Sequence, residues 1–325
     1  MLRLVVKCCT GDAMKRVVSV FLLLAVLSSL QASGVKEETP SCRIGAVMPD
    51  SSAVFWQGVW KGAERGAAEN NASLSEYSYS VASEGEMEMQ LDKVILSKVD
   101  GILLSASSLS ERSRELLSEA KAEGIRVVLC DSASFDAEYD TLVGLDNRAS
   151  GERMAEELSA RGFSEVVILD ANAGSRSTAT QSRLRALERG LDGSGVAYTA
   201  VSFQSAGFEG TGLLQEIIAE HADGACFVCL NSHLTLLTAQ AVEYLSLGGS
   251  TFVAGWCEEP EAFNYVGEGI VDLLAIQDVY ELGRLSAEVL CSLIAGAEAE
   301  PVRHIQVSIV TADNIDEYWD GEKRL

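Results

Sequence analysis

Basic residues are scarce in this chain of 325 residues, with 25 Lys and Arg against 48 Asp and Glu, a net charge of −23. Nucleic acid is held by Lys and Arg that displace counterions from phosphates, so a nucleic-acid binder is excluded. Only 3 histidines occur, which argues against a metal enzyme or a catalytic cluster built on imidazole. Long apolar runs are missing too. The most apolar stretch, Val17 to Leu30, is fourteen residues, too short to span a bilayer comfortably, and a multispan membrane protein is excluded. There is no glycine-rich phosphate loop, since the first strand's turn reads Pro49-Asp50-Ser51-Ser52-Ala53. A nucleophile elbow is absent, and no base stands beside an obvious nucleophile, so the chain does not read as an enzyme. What remains is 47% apolar with only 4 prolines, long and hydrophobic enough for two α/β domains with real cores.

The front of the chain has a separate logic. Lys15 and Arg16 precede the apolar run, and Gln31-Ala32-Ser33-Gly34 follows it. A basic flank, a short apolar core and small residues at the end match a secretory signal over residues 1–34, with an uncleaved anchor as the alternative. Met14 stands directly before the basic pair, which makes residues 1–13 a candidate mis-called start. Cys42 lies too far downstream, after Thr39-Pro40-Ser41, to serve as a lipoprotein anchor. Removing residues 1–34 leaves 21 bases and 47 acids. The expected product is exported and soluble, in the periplasm or on the cell-envelope exterior.

Beyond that point, short runs of branched apolar residues alternate with helix-period segments roughly every 25 residues, as βα units require. The strand candidates are Ile44–Met48, Tyr77–Val81, Gly101–Leu104, Arg126–Cys130, Thr141–Leu145, Glu165–Leu169, Ala197–Phe203, Ala225–Leu230, Thr251–Trp256, Ile270–Ile276 and His304–Val310. Continuous apolar runs indicate strands buried on both faces of a parallel sheet. Amphipathic stripes lie between them: Phe55, Val59, Trp60, Ala63 and Ala67 form one, and Leu282, Leu285, Val289 and Leu293 form another. Gly124 and Gly162 mark helix stops. The acids Glu111, Glu115, Glu119 and Glu123 read as a solvated face. The pattern is a doubly wound α/β protein with two such sheets.

Arg43 to Met48, Phe55 to Ala63, Lys98 to Leu104 and Ala120 to Ser132 are stretches that resemble the ribose-binding-protein-like sugar-binding proteins of ABC transporters. Arg43-Ile44-Gly45-Ala46-Val47-Met48, then Phe55-Trp56-Gln57-Gly58-Val59-Trp60-Lys61-Gly62-Ala63, resemble that family's opening strand and helix. Lys98 to Leu104 resembles its "KVDGI" stretch, and Ala120 to Ser132 its "AKxAGIPVVxxDS" stretch. Asp146-Asn147, Leu230-Asn231, Gly255-Trp256 and Gln277 follow in order, so the resemblance covers residues 42 to about 318. It implies a type I periplasmic binding protein fold, two doubly wound parallel-sheet lobes joined by a three-strand hinge. Lobe one would take 42–145 plus 279–307, and lobe two 146–278 plus 308–325. It also implies a ligand clamped between the lobes, where sheet ends meet.

The resemblance nominates the contacts. Phe55 and Trp56 would stack on a sugar ring, although the spacing of Phe55 to Val59 also fits a core role. Trp256 would close the opposite side and Phe208 would add a wall. Asp131, Asn231 and Gln277 would bind hydroxyls, with a helix cap as the other reading of Asn231. The chain departs from the ribose binders at Ala53, Ser132, Gln181 and Cys257, where they carry an amide, two arginines and an acid. Arg183 keeps the second arginine and reads as structural. These departures imply a less charged cleft, suited to another sugar, a deoxy sugar, a polyol or a small non-sugar signal.

Six cysteines follow residue 34: Cys42, Cys130, Cys226, Cys229, Cys257 and Cys291. Cys226 and Cys229 sit in one strand candidate, where residues three apart point to opposite faces, which separates them as a redox pair or as zinc ligands with His221 and His233. Cys130, Cys226, Cys229 and Cys291 read as small buried hydrophobes. The expected function is a monomeric solute-binding protein, without cofactor or metal, that delivers a small sugar-like ligand to an ABC permease. The alternative is a ligand-presenting sensor for a membrane receptor kinase or chemoreceptor. A repressor of the related fold is excluded by the missing helix-turn-helix.

Overall fold

The computed structural model describes residues 40–80, 85–105, 109–131, 137–163, 165–171, 178–203, 207–221 and 224–318. The expected export signal over 1–34 lies outside them, as do Ser132 and the side chain of Phe208. From Ser41 onward the chain forms one compact unit.

Its strands are β1 (Arg43–Val47), β2 (Ser73–Glu76), β3 (Gly101–Leu104), β4 (Arg126–Cys130), β5 (Thr141–Leu145), β6 (Glu165–Ala171), β7 (Ala197–Phe203), β8 (Cys226–Cys229), β9 (Phe252–Trp256), β10 (Leu273–Gln277), β11 (Val302–Ile305) and β12 (Val307–Val310). The helices among the described residues are α1 (Val54–Glu69), α2 (Glu86–Leu96), α3 (Glu111–Ala122), α4 (Asn147–Ala160), α5 (Thr178–Ser194), α6 (Gly207–Glu220), α7 (Ser232–Tyr244), α8 (Pro260–Gly267) and α9 (Val279–Ile294). Two six-stranded sheets result, in the orders β11-β5-β4-β3-β1-β2 and β12-β10-β9-β8-β6-β7. All pairings are parallel except β10 with β12.

The reason is in the sequence. Every residue of β3, β8 and β10 is buried, as continuous apolar runs demand when helices cover both faces of a sheet. Each sheet accordingly has an apolar cluster on either face. Helix stops follow the glycines, with Gly124 at φ 85° and Gly162 at φ 78°. No helix among the described residues is long and apolar enough to cross a membrane.

Two strand expectations need correcting. The strand expected at Tyr77–Val81 lies earlier, at Ser73–Glu76, and Tyr79 makes only an isolated bridge to Pro49. β2 is an edge strand with half-exposed and exposed residues, so it carries no apolar run to announce it. The single run His304–Val310 is two strands. β11 closes the first sheet, and β12 joins the second after Gln306 alone.

The chain crosses between the sheets three times, and each crossing is one residue long: Asp146, Asp278 and Gln306. Both aspartates are helix caps. Asp146 Oδ1 accepts from Ala149 N at 2.9 Å, and Asp278 Oδ1 accepts from Glu281 N at 2.8 Å. A cap that starts a helix directly after a strand lets the chain change lobes without a loop.

Lobe one is sealed by a helix pair from opposite ends of the sequence, α1 and α9. A Cβ at Gly62 would lie 1.9 Å from the Tyr280 carbonyl oxygen, and one at Gly283 would lie 2.0 Å from that of Val59. The two backbones touch, which only glycine permits. In lobe two, Gly151 on α4 does the same for α5: a Cβ there would sit 2.5 Å from the Arg183 carbonyl oxygen.

Candidate functional site

Parallel sheets direct their functional loops to the carboxyl ends of the strands. After β1, Pro49 to Ala53 lead into α1. Trp60 Nε1 donates to the Pro49 carbonyl at 2.8 Å, Asp50 accepts from Ser52 N at 3.0 Å, and Gln57 Nε2 donates to the Ser51 carbonyl at 3.1 Å. The loop is thereby held open for Phe55 and Trp56, both half-buried in the first turn of the helix. Their rings meet edge to face, with centroids 4.9 Å apart and planes at 77°, and both also pack against the lobe-one core.

At the end of β4, Asp131 takes φ 69°, a left-handed turn that Asp tolerates better than most residues. Its N–H still donates to the Val143 carbonyl at 2.9 Å, so the kink begins at a fixed point. Asp131 is half-buried, and its charge reaches Tyr79, whose hydroxyl donates to the Ser105 carbonyl at 2.7 Å. Burial, and then the Asp131 charge, push that phenol up to about 12.

Lobe two contributes a cation. Arg183 on α5 donates from Nε to Asn147 Oδ1 at 2.7 Å and from Nη1 to the Leu230 carbonyl at 3.3 Å. Its guanidinium carbon stands 5.3 Å from the centre of the Trp256 ring. Burial draws the guanidinium down from its ordinary value, while Glu258 of lobe two and Asp131 of lobe one hold it up. Arg183 therefore sits in the field of acids from both lobes. Glu258 is itself buried, and its Oε1 accepts from Gln277 N at 3.2 Å, next to the crossing at Asp278. Gln277 Oε1 is buried with no hydrogen-bond partner among the described residues, although a buried amide oxygen normally has one.

The nominated residues divide accordingly. Asp131 and Gln277 stand at strand ends or directly after one, and Phe55 and Trp56 in the first turn of α1. Gln181 is half-buried on α5, two residues before Arg183. Trp256 is only 1% exposed, with Nε1 donating to Ser150 Oγ at 2.6 Å, so it is a platform under Arg183 rather than an open wall. Cys257 is buried in the other core cluster of lobe two, and burial pushes its thiol up to about 12. Asn231 caps α7 through Oδ1, which accepts from Leu234 N at 2.9 Å. Asn231→Ala should cost about 1 kcal/mol in urea unfolding, with Asn231→Asp restoring most of it.

One acid escaped the sequence reading: Glu258 follows Cys257 by one residue and is buried. Arg183, read from the sequence as structural, bonds to Asn147 and the Leu230 carbonyl. Cys226 and Cys229 fall in core clusters on opposite sheet faces, and Cys229 Sγ lies 3.3 Å from Thr238 Oγ1. No group of three or more His, Cys, Asp or Glu among the described residues is placed to hold a metal ion. A depression of about 340 Å³ lined by Asp100, Glu123, Gly124 and Arg126 lies at the opposite, amino ends of β3 and β4.

Two doubly wound lobes, single-residue crossings and polar groups gathered at the strand ends define a two-lobed binding-protein architecture. The periplasmic binding protein domain family matches residues 44–298, and the chain belongs to it. Among solved structures it is similar to a periplasmic ribose ABC transporter protein from Conexibacter woesei, at 18% identity and TM-score 0.77, covering 87% of this chain and 96% of that one. It is also similar to AraP, an arabinose binding protein from Geobacillus stearothermophilus, at 21% identity and TM-score 0.76, covering 86% and 100%. A sugar-binding ABC transporter protein from Bacillus halodurans aligns at 19% identity and TM-score 0.76, covering 85% and 100%. No curated protein matches the chain.

Proposed function

We propose that this is an exported, monomeric solute-binding protein that clamps a small polar ligand, a sugar or sugar-like compound, between its lobes and delivers it to an ABC importer. The observation that carries this reading is Arg183 of lobe two, fixed by Asn147 Oδ1 and the Leu230 carbonyl over the Trp256 ring, with the charges of Glu258 and of Asp131 on lobe one acting on it. Ligand hydroxyls bridging these groups would gain charge-assisted hydrogen bonds from both lobes at once, which favours the closed form over the open one. The half-buried Phe55–Trp56 pair offers an apolar face for the C–H side of a sugar ring. Gln277 has an amide oxygen to spare beside the crossing, where a ligand or a water would satisfy it. Hinge motion at Asp146, Asp278 and Gln306 would then report occupancy to a partner. The strongly acidic composition suits a basic permease mouth, since charge complementarity mainly raises encounter rate and fixes register.

A second reading is a ligand-presenting sensor protein for a membrane receptor. It is favoured by likeness to a chain of the XylFII–LytSN complex, at 17% identity and TM-score 0.69, covering 85% of this chain and 100% of that one.

The test is a thermal-shift screen on protein purified after export, then unfolded and refolded to strip bound ligand. Pentoses, hexoses, deoxy sugars, polyols and nucleosides form the panel. A ligand at 100 times its Kd adds about 2.7 kcal/mol, so one compound class should raise the midpoint clearly. No shift across the panel would overturn the sugar-like assignment.

A further inference from the structure

The fold brings one pair of thiols into direct contact. Cys42, just ahead of β1, and Cys291, in the last turn of α9, have their sulfurs 3.9 Å apart. Both side chains are buried, Cys42 at 6% and Cys291 at 8% exposure, in the same lobe-one cluster. The backbone around Cys42 is fixed. Its carbonyl accepts from Ser73 N at 3.0 Å, and Ser41 N donates to the Asn71 carbonyl at 2.7 Å. Cys291 sits on the helix that glycine contacts lock against α1. Two sulfurs at van der Waals distance on two anchored backbones have a short way to move to the bonded separation of about 2.05 Å.

We propose that Cys42 and Cys291 form a disulfide that staples the first strand of the folded chain to its last helix. The oxidant is a small-molecule or protein disulfide. One cysteine thiolate attacks it, forms a mixed disulfide and releases one thiol. The second thiolate attacks the cysteine sulfur of that mixed disulfide and releases the other thiol. Two protons leave the cysteines, and two electrons pass to the oxidant, which ends as two thiols. In the finished fold, burial and then the neighbouring Cys42 push the Cys291 thiol up, so thiolate is scarce there. The bond therefore forms while the chain folds, and the same burial protects it afterwards. It closes a loop of 249 residues, and long loops gain most from a cross-link in the chain-entropy account. The other four thiols, Cys130, Cys226, Cys229 and Cys257, are wholly buried at 0% exposure.

The inference rests on geometry alone and does not depend on the ligand reading. The test uses the full chain carrying Cys8→Ser and Cys9→Ser, refolded in a mixture of reduced and oxidised glutathione. It is then denatured without reductant and alkylated with iodoacetamide. Four alkylated cysteines are expected, with a peptide pair joined through Cys42 and Cys291. Added Cys291→Ser should abolish that pair and yield five alkylated cysteines. The cross-linked form should also melt higher than the same chain under reductant, a difference that Cys291→Ser removes. Six alkylated cysteines, or a cross-link between any other two, would overturn the proposal.

Discussion

Gly62→Ala is expected to destabilise the protein by about 3 kcal/mol, at the upper end of what overpacking costs. In an isolated helix the same change stabilises by about 1 kcal/mol, so the sign itself is the test. The difference is steric. The new methyl would lie 1.9 Å from the Tyr280 carbonyl oxygen and 2.9 Å from Arg284 N, and both are backbone atoms that cannot rotate away. To admit it, α1 and α9 must separate along the seam where Gly58, Gly62, Gly66 and Gly283 approach the facing helix. Gly212→Ala on α6, where an added Cβ meets nothing within 4 Å among the described residues, is the control and should be neutral or stabilising. Urea midpoints of the two variants read the difference directly. Equal midpoints would mean that the seam yields without cost.

Arg183→Met should have two separable effects. Stability should fall by about 2 kcal/mol, because the hydrogen bonds from Arg183 to Asn147 Oδ1 and the Leu230 carbonyl are lost. Ligand affinity should fall by roughly 100-fold, the loss expected when a buried charged contact is removed. Asp131→Asn separates the two. It removes charge from the lobe-one side only, so affinity should drop while the melting transition stays cooperative and near its original midpoint. Chemical unfolding measures the first effect, and calorimetric titration with the ligand from the thermal-shift screen the second. Unchanged affinity in both variants would make Arg183 a purely structural cation.

The sequence spoke clearly at several strands. Gly101–Leu104, Arg126–Cys130, Thr141–Leu145 and Ala197–Phe203 appear as strands at the limits expected of them, the first three carrying apolar runs buried against helices. It was silent at β2, whose Ser73-Leu74-Ser75-Glu76 is an edge in which only Ser73 and Leu74 are partly buried. The site was legible in part, and the pattern of failure is physical. Asp131 stands out because an acid directly after a buried run is costly unless partnered. Glu258 does not, because Cys257, Glu258 and Glu259 follow the strand together, and which of them turns inward depends on backbone direction after β9. Trp256 looked like a ligand wall because an aromatic at a strand end often is one. Its indole instead bonds to Ser150 and lies under Arg183, contacts between residues 106 and 73 positions apart. Arginine in an amphipathic helix has the same one-letter appearance on either face, so only the fold tells Arg183 from its exposed neighbours.

The glycine seam also has a consequence in time. The second sheet takes β6 to β10 from one continuous stretch of chain and lacks only β12, so most of it can assemble as soon as that stretch is available. The other lobe cannot. α1 ends at Glu69 but rests on α9, which begins at Val279, and the backbone contact between them admits no temporary substitute. A chain emerging from its amino end must therefore wait for nearly all of its length before its first lobe can close. Until then the stripe of α1 meets only the sheet face of Ile44, Ala46, Leu103 and Val128, and the seam that α9 fills stays open.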